Sequence, residues 1–424
     1  MLKVKVSETK DYFKTGNKNF FYFADTVWSA FSNISIDEWE KYLTIRKKQG
    51  FNVFQANILT QWDAGKPDMN IYPFKVDKNG KFDFYSINEE YFKRAREMLS
   101  IANKIGLIPA LVVLWGNYVK DTWMLKYNPI NVMPFDIVKT YCVYVVKMFS
   151  EFNPIFIISG DTNFESEETI KYYITALETI KSLSPESLTT MHLAPCVELP
   201  EIFINSKHLD FYMYQSEHNI EFQDNIYKNA QNYYNKPVKR PIVNGEPCYE
   251  FHFFGGKYGR YNEFNVRKAF WQSVLSGAKA GFTYGAQGIW SWHREGKIFS
   301  NEPFGGKPLV WQKALNLKGA NDISFAKQIY EKYNMFYIEP VDKILNKTNE
   351  ICMSESKDGK QFFIYIPYNI DIDVSLNLSE YKITIINLAT KKFFKPEIEI
   401  KKEFSRIKMH DFNNDVLIIG EKNK

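Results

Sequence analysis

The chain has only 4 cysteines in 424 residues (Cys142, Cys196, Cys248 and Cys352), and none of them forms a CxxC pair. A disulfide framework or a cysteine-based zinc site is therefore not what organises it, and reduced thiols are expected. The 6 histidines form no H-E-x-x-H motif and no tight cluster with aspartate, so no metal or other cofactor is expected. No G-x-S-x-G elbow occurs, which argues against a serine nucleophile. No glycine-rich phosphate loop follows the first apolar run, which weakens a nucleotide-binding open sheet. Apolar runs all fall short of the ~20 residues of a membrane span. The start, Met-Leu-Lys-Val-Lys-Val-Ser, lacks the apolar core of an export signal. The expectation is a cytoplasmic protein with no membrane partner, although a trimmed secreted chain would read the same. A net charge of +5, with scattered lysines, calls for no nucleic-acid partner.

What is present is a globular composition, 45% hydrophobic and 24% charged, at a length that suits one large domain and a small one. Aromatic residues reach 17%, with 9 Trp, 27 Tyr and 35 Phe. Several of the tryptophans fall just after runs of strand length.

Those runs are Phe20–Asp25, Phe51–Asn57, Leu107–Val113, Ile155–Asp161, Thr189–Ala194, Asp210–Gln215, Pro241–Glu246 and Gly281–Gly285. They are almost continuously apolar, as parallel strands covered on both faces are. Helical periodicity lies between most of them. Ser35-Ile-Asp-Glu38 forms a capping box ahead of Trp39 and Leu43, with a stop at Gly50, and Ser86-Ile-Asn-Glu89 repeats the device ahead of a helix that ends at Gly106. Eight strands alternating with helices predict a (β/α)8 barrel, with an open doubly wound sheet second. After Tyr337 the pattern changes to short β-rich runs separated by turn residues, among them Gln361–Ile366, Tyr381–Ile386 and Asp415–Ile419. The division expected is 1–337 for the barrel and 338–424 for a sandwich-like antiparallel β-domain.

In such a barrel all strand C-termini open onto one face, and the chemistry sits there. Asp161 and Glu246 end the fourth and seventh runs. Asp25 ends the first, Asn57 the second and Gln215 the sixth, while His192 lies within the fifth. Trp28, Trp62, Trp115, Tyr249, Tyr284, Trp290 and Trp292 fall in or just beyond the same ends. Two carboxylates among aromatic rings fit cleavage of a glycosidic bond, because sugar C–H faces stack on rings while hydroxyls take carboxylate and amide partners. Each residue also has a plainer reading. Asp25 can brace the loop that follows it, His192 can be a satisfied core histidine, and a single Trp after a strand is often packing. Trp290 and Trp292 would point the same way if their segment were extended.

Six motifs then occur in one order: Ala24-Asp-Thr-Val-Trp28, Lys48-Gln-Gly-Phe-Asn-Val-Phe-Gln55, Ser159-Gly-Asp-Thr-Asn163, Tyr214-Gln-Ser-Glu-His218, Asn244-Gly-Glu-Pro-Cys-Tyr-Glu250 and Gly281-Phe-Thr-Tyr-Gly-Ala-Gln-Gly-Ile-Trp290. Together, over roughly residues 15–335, they resemble the apiosidase-like glycoside hydrolases, glycoside hydrolase family 140 and its relatives. The resemblance implies a barrel enzyme acting on plant cell-wall glycans, with Asp161 and Glu246 as the catalytic pair. It also implies substrate contacts from Asn163 and His218. The chain departs from the family pattern at Glu217, where glycine is usual, and at Gln287, where histidine is frequent.

The expected chemistry is retaining hydrolysis of a pectic oligosaccharide. Asp161 is the acid/base, its pKa raised by burial and by its neighbour, and Glu246 is the nucleophile. An inverting hydrolase using the same pair and a non-catalytic carbohydrate-binding barrel are the rivals. An intracellular enzyme of this kind would trim imported oligosaccharides.

Overall fold

The computed structural model describes residues 3–255, 258–346 and 348–423. Eight parallel strands form one sheet: β1 (Tyr22–Thr26), β2 (Val53–Asn57), β3 (Ile108–Trp115), β4 (Ile155–Gly160), β5 (Thr189–Thr190), β6 (Tyr212–Gln215), β7 (Ile242–Glu246) and β8 (Gly281–Tyr284). Their order is β5-β4-β3-β2-β1-β8-β7-β6, so each strand lies beside its predecessor and β8 closes onto β1. Between β5 and β6 the gap is bridged by the Asp210 N–H donating to the Thr189 carbonyl at 3.0 Å and by Thr190 Oγ1 donating to the Phe211 carbonyl at 2.8 Å. This is a (β/α)8 barrel. The fifth strand is shorter than its apolar run, because the chain leaves the sheet after Thr190 and returns only as a bridge from Leu193 to Thr162.

Seven long helices cover the sheet: α1 (Ile36–Lys48), α2 (Glu89–Ile105), α3 (Phe135–Phe149), α4 (Glu167–Leu183), α5 (Asn225–Tyr234), α6 (Glu263–Leu275) and α7 (Gly319–Lys332). The Ser35–Glu38 box is formed in both directions and starts α1. The second box is not formed. Residues Phe82–Ile87 are a strand paired with Phe74–Val76, so Ser86 is extended and Asn88 caps α2 by accepting from the Glu90 N–H. Along α2, Tyr91, Phe92, Ala95, Met98, Leu99 and Ala102 are buried at helical spacing against the barrel.

From Ile338 onward the chain is antiparallel. Ile338–Pro340, Cys352–Ser356, Gln361–Ile366, Val416–Lys422, Tyr381–Asn387 and Lys392–Phe394 make a six-stranded sheet, and Ile372–Val374, Ser405–Ile407 and Ile398–Ile400 a three-stranded one. One face of the larger sheet, including Phe363, Tyr365, Leu417 and Ile419, shares the barrel's core; the other packs with the smaller sheet around Phe362, Ile364, Ile372 and Val374. A buried ion triad ties the tail to the barrel: Arg267 of α6 reaches Asp322 of α7 and Asp415 beside the last strand, both at 2.7 Å.

Candidate active site

Glu246 is the last residue of β7, pinned from two sides. A bulge between Tyr214 and Gln215 puts Gln215 opposite Glu246, whose carbonyl accepts from the Ser216 N–H at 2.9 Å. Gln55, inside the barrel, donates to the preceding Gly245 carbonyl at 2.9 Å. Asp161 follows β4 directly in the left-handed region, φ 47°. Aspartate tolerates that region better than most residues, and such conformations gather at functional sites. Its N–H donates to His192 Nδ1 at 3.0 Å and its carbonyl accepts from Trp123 Nε1 at 2.8 Å. Two glycines make room for the walls: a Cβ on Gly160 would lie 2.1 Å from the Trp115 ring, and one on Gly285 1.9 Å from the Tyr249 ring.

The two carboxylates have opposite surroundings. Glu246 Oε1 accepts from Tyr249 OH at 2.6 Å and faces His218 Nε2 at 3.0 Å; Tyr249 OH in turn accepts from Trp28 Nε1 at 2.9 Å. The proton of His192 sits on Nε2, because Nδ1 accepts from Asp161, and Nε2 lies 2.8 Å from Glu246 Oε2, off the N–H axis. Burial alone would raise the Glu246 pKa, but the contacts from His192 and His218 more than offset it and hold the group well below the usual carboxylate range. Asp161 keeps an edge open to the cavity but is otherwise enclosed. That desolvation, then the charges of Glu246, Asp63 and Glu217, push its pKa well above the ordinary value. The Gln215 amide, turned nitrogen-inward, donates to Asp161 Oδ1 at 3.0 Å. The two carboxyl groups of one cleft are thus pushed in opposite directions, Glu246 towards its ionised form and Asp161 towards its protonated one.

The model of the apiosidase-like catalytic domain matches residues 7–337, most of the chain. This protein belongs to the apiosidase-like family. It is a glycosidase, with hydrolases of that family as its kin. No curated protein matches it. A solved glycoside hydrolase is 21% identical, with a TM-score of 0.82 over 99% of this chain and 97% of its own. A glycoside hydrolase family 5 structure from Bacteroides vulgatus ATCC 8482 is 20% identical, with a TM-score of 0.82 over 99% of this chain and 94% of its own. A putative glycoside hydrolase from the same organism is 15% identical, with a TM-score of 0.69 over 99% and 82%. At these identities the likeness carries the fold.

In the apiosidase-like barrel, Trp28, Trp115, Gln215, His218, Tyr249 and Trp290 line one cleft with Asp161 and Glu246. His192 backs it, stacked under Trp115 with ring centroids 5.8 Å apart. Asn57 and Asn163 stand one layer behind: Asn57 donates to Gln61, and Asn163 Oδ1 accepts from the Trp123 N–H at 3.0 Å. Two expected contacts are corrected. Asp25 faces outward, where its Oδ2 accepts from Arg46 Nε and Tyr42 OH, each at 2.6 Å, and Arg46 is wholly buried. Tyr284, beside it in register on β8, also faces outward and donates to Glu250 Oε2 at 2.5 Å under the same guanidinium. Trp290 and Trp292 do not share a direction either. Their segment is turned rather than extended, and Trp292 stacks on Trp311 at 4.5 Å, away from the cleft.

Asp63, His252, Asn301, Trp123 and Phe304 also line the cleft, and no strand-end position marks them in the sequence. Asp63 is a third carboxylate, buried, with Gln61 Nε2 donating to it at 2.6 Å and Asn301 donating to its other oxygen; burial raises its pKa. Its signal was its neighbour Trp62, already picked out beyond the second strand. His252 and Asn301 come from loops whose sequence carries no period. Burial pushes the His252 pKa down to about 3, so it is neutral at any working pH.

Proposed function

We infer that this glycosidase cleaves plant cell-wall, pectic oligosaccharides with retention, through Asp161 as general acid/base and Glu246 as nucleophile. The observation that carries the reading is the contrast between two carboxylates in one aromatic-lined cleft, Glu246 held by Tyr249 and His218 and Asp161 enclosed beside the Gln215 amide. In the first step protonated Asp161 gives its proton to the glycosidic oxygen while Glu246 attacks the anomeric carbon and the leaving group departs. In the second, Asp161, now ionised, takes a proton from water, which attacks the anomeric carbon and frees Glu246. Tyr249, whose own pKa is pushed far up by burial and then by the Glu246 charge, stays protonated throughout and keeps donating. The pectic class follows from the family resemblance, and the stacked rings and carboxylates of the cleft suit a polyhydroxylated ring.

The test is a panel of pectic oligosaccharides, with the first-formed anomer read by proton NMR. Retention is expected, with turnover lost in Glu246→Gln while binding remains. The opposite anomer would make the same pair inverting. Wild-type turnover in both Glu246→Gln and Asp161→Asn would overturn the assignment of the pair.

A further inference from the structure

The cleft has two chambers, and they divide the carboxylates unevenly. Glu246 lines only the inner one, a cavity of about 80 Å³ walled by Trp28, Trp115, Tyr249 and Trp290. Asp161 lines both that chamber and an outer one of about 350 Å³. A nucleophile must face the anomeric carbon of the sugar it captures, whereas the acid faces the oxygen shared with the departing group. The captured sugar therefore sits towards the Glu246 end of the cleft, and the outer chamber, which Glu246 does not line, lies on the departing side.

One wall of the outer chamber is aromatic and open. Trp62 and Trp123 meet edge to face at 6.4 Å, Tyr127 stacks on Trp62 at 6.4 Å, and Phe304 meets Tyr127 edge-on at 5.8 Å. Tyr127 is 55% exposed and Phe304 52%, more than packing alone would leave on so many adjoining rings. Glu217 lines the same chamber, in the left-handed region at φ 84°, its Oε1 accepting from the His218 and Asn219 N–H groups at 2.8 and 3.0 Å. A non-glycine residue there stores backbone strain, and such conformations gather at functional sites. Among the described lining residues there are three carboxylates (Asp63, Asp161 and Glu217) and no lysine or arginine.

Resting on the Asp161–Glu246 reading, we propose that the outer chamber is a leaving-group subsite for an uncharged sugar ring, which stacks on Trp62 and Phe304, and that Glu217 excludes uronates from it. Rings supply the face for the sugar's C–H groups, Glu217 accepts from its hydroxyls, and a second carboxylate brought alongside is repelled. The pectic substrate is then a neutral side chain and not the uronate backbone.

The experiment compares a glycosyl fluoride, whose leaving group fills no subsite, with disaccharides of the same glycone ending in a neutral hexose or in a uronate. In wild type the neutral disaccharide should exceed the uronate at least tenfold in kcat/KM. Trp62→Ala/Phe304→Ala should lower the ratio of neutral disaccharide to fluoride at least tenfold, and Glu217→Gln should narrow the gap between neutral and uronate severalfold. Saturation-transfer NMR with D-galactose and D-galacturonate reads the same preference without turnover: galactose contacts weaken in Phe304→Ala, and galacturonate contacts appear in Glu217→Gln. Equal use of the two disaccharides, or a ratio that the ring deletions leave unmoved, overturns the subsite while the hydrolase reading stands. Failure of the hydrolase reading looks different: wild type hydrolyses none of the fluorides or disaccharides, and the leaving-group assignment falls with it.

Discussion

Replacing Asp161 by asparagine should make the protein more stable while removing its acid. The side chain is enclosed near Glu246, Asp63 and Glu217, with the Gln215 amide and no cation in contact, so its charged form is disfavoured in the fold. In the unfolded chain the group ionises near its ordinary 3.8; in the folded one it does so at higher pH. Between those values the native state holds a proton that the unfolded state has lost, so stability falls as pH rises, by about 1.4 kcal/mol per pH unit. Below 3.8 both states are protonated and the penalty is absent; above the folded pKa it is complete and constant. Asparagine keeps the shape and the Gln215 contact and has no such slope. With about 2.1 cal/mol/K per residue of unfolding entropy, each pH unit in the window should separate the two melting midpoints by about 1.5 °C. Differential scanning calorimetry of both proteins from pH 4.5 to 8 would show the gap widening with pH and then levelling. A gap of constant size, or a variant less stable than wild type at pH 7, would refute the electrostatic account. Loss of turnover on poor leaving groups should accompany the gain in stability, the familiar exchange at strained active sites.

Tyr249→Phe removes a 2.6 Å hydrogen bond to the Glu246 carboxylate. Bonds to charged groups contribute about 1.5–3 kcal/mol, so the acid limb of kcat/KM against pH should move up by about 1–2 units, and a limb that stays put counts against the role given to Tyr249. Asp25→Asn leaves the wholly buried Arg46 guanidinium without its counter-charge and should cost about 3–5 kcal/mol in a urea titration, with KM unaltered in the protein that folds. A raised KM at unchanged stability would return Asp25 to the substrate. Arg267→Leu strips Asp322 and Asp415 of their shared partner, so amide exchange along Val416–Lys422 should accelerate; exchange equal to wild type would mean that the triad does not hold the tail.

The barrel was legible because a parallel strand buried on both faces must be apolar throughout, and helix stops such as Gly106, at φ 87°, are written in single residues. That same uniformity hides which way each side chain points. On β1, Tyr22 donates to Gln55 inside the barrel at 2.9 Å and Thr26 lies near the same amide, so the intervening Asp25 turns out towards α1 and its Arg46. On β8, Thr283 faces Gln55 and Tyr284 therefore faces away. An alternating antiparallel strand would have declared its inward residues by polarity, but here an outward aspartate and an inward one look alike until the helix that carries the arginine is in place. Asp161 and Glu246, the proposed catalytic pair, escaped this ambiguity because both residues stand at or just past the strand ends, where the backbone leaves the sheet and alternation no longer decides direction. Asp63, Asn301 and Phe304 were hidden for a different reason. They reach the cleft on the segments that follow β2 and β8, Phe304 in a single helical turn (Glu302–Gly305), and only folding brings those segments together, where the Asn301 N–H donates to the Asp63 carbonyl at 3.1 Å. The part of the cleft built on strand ends is thus readable from residue type and position, whereas the part that would choose the leaving group is built from loop pairings that no local pattern encodes.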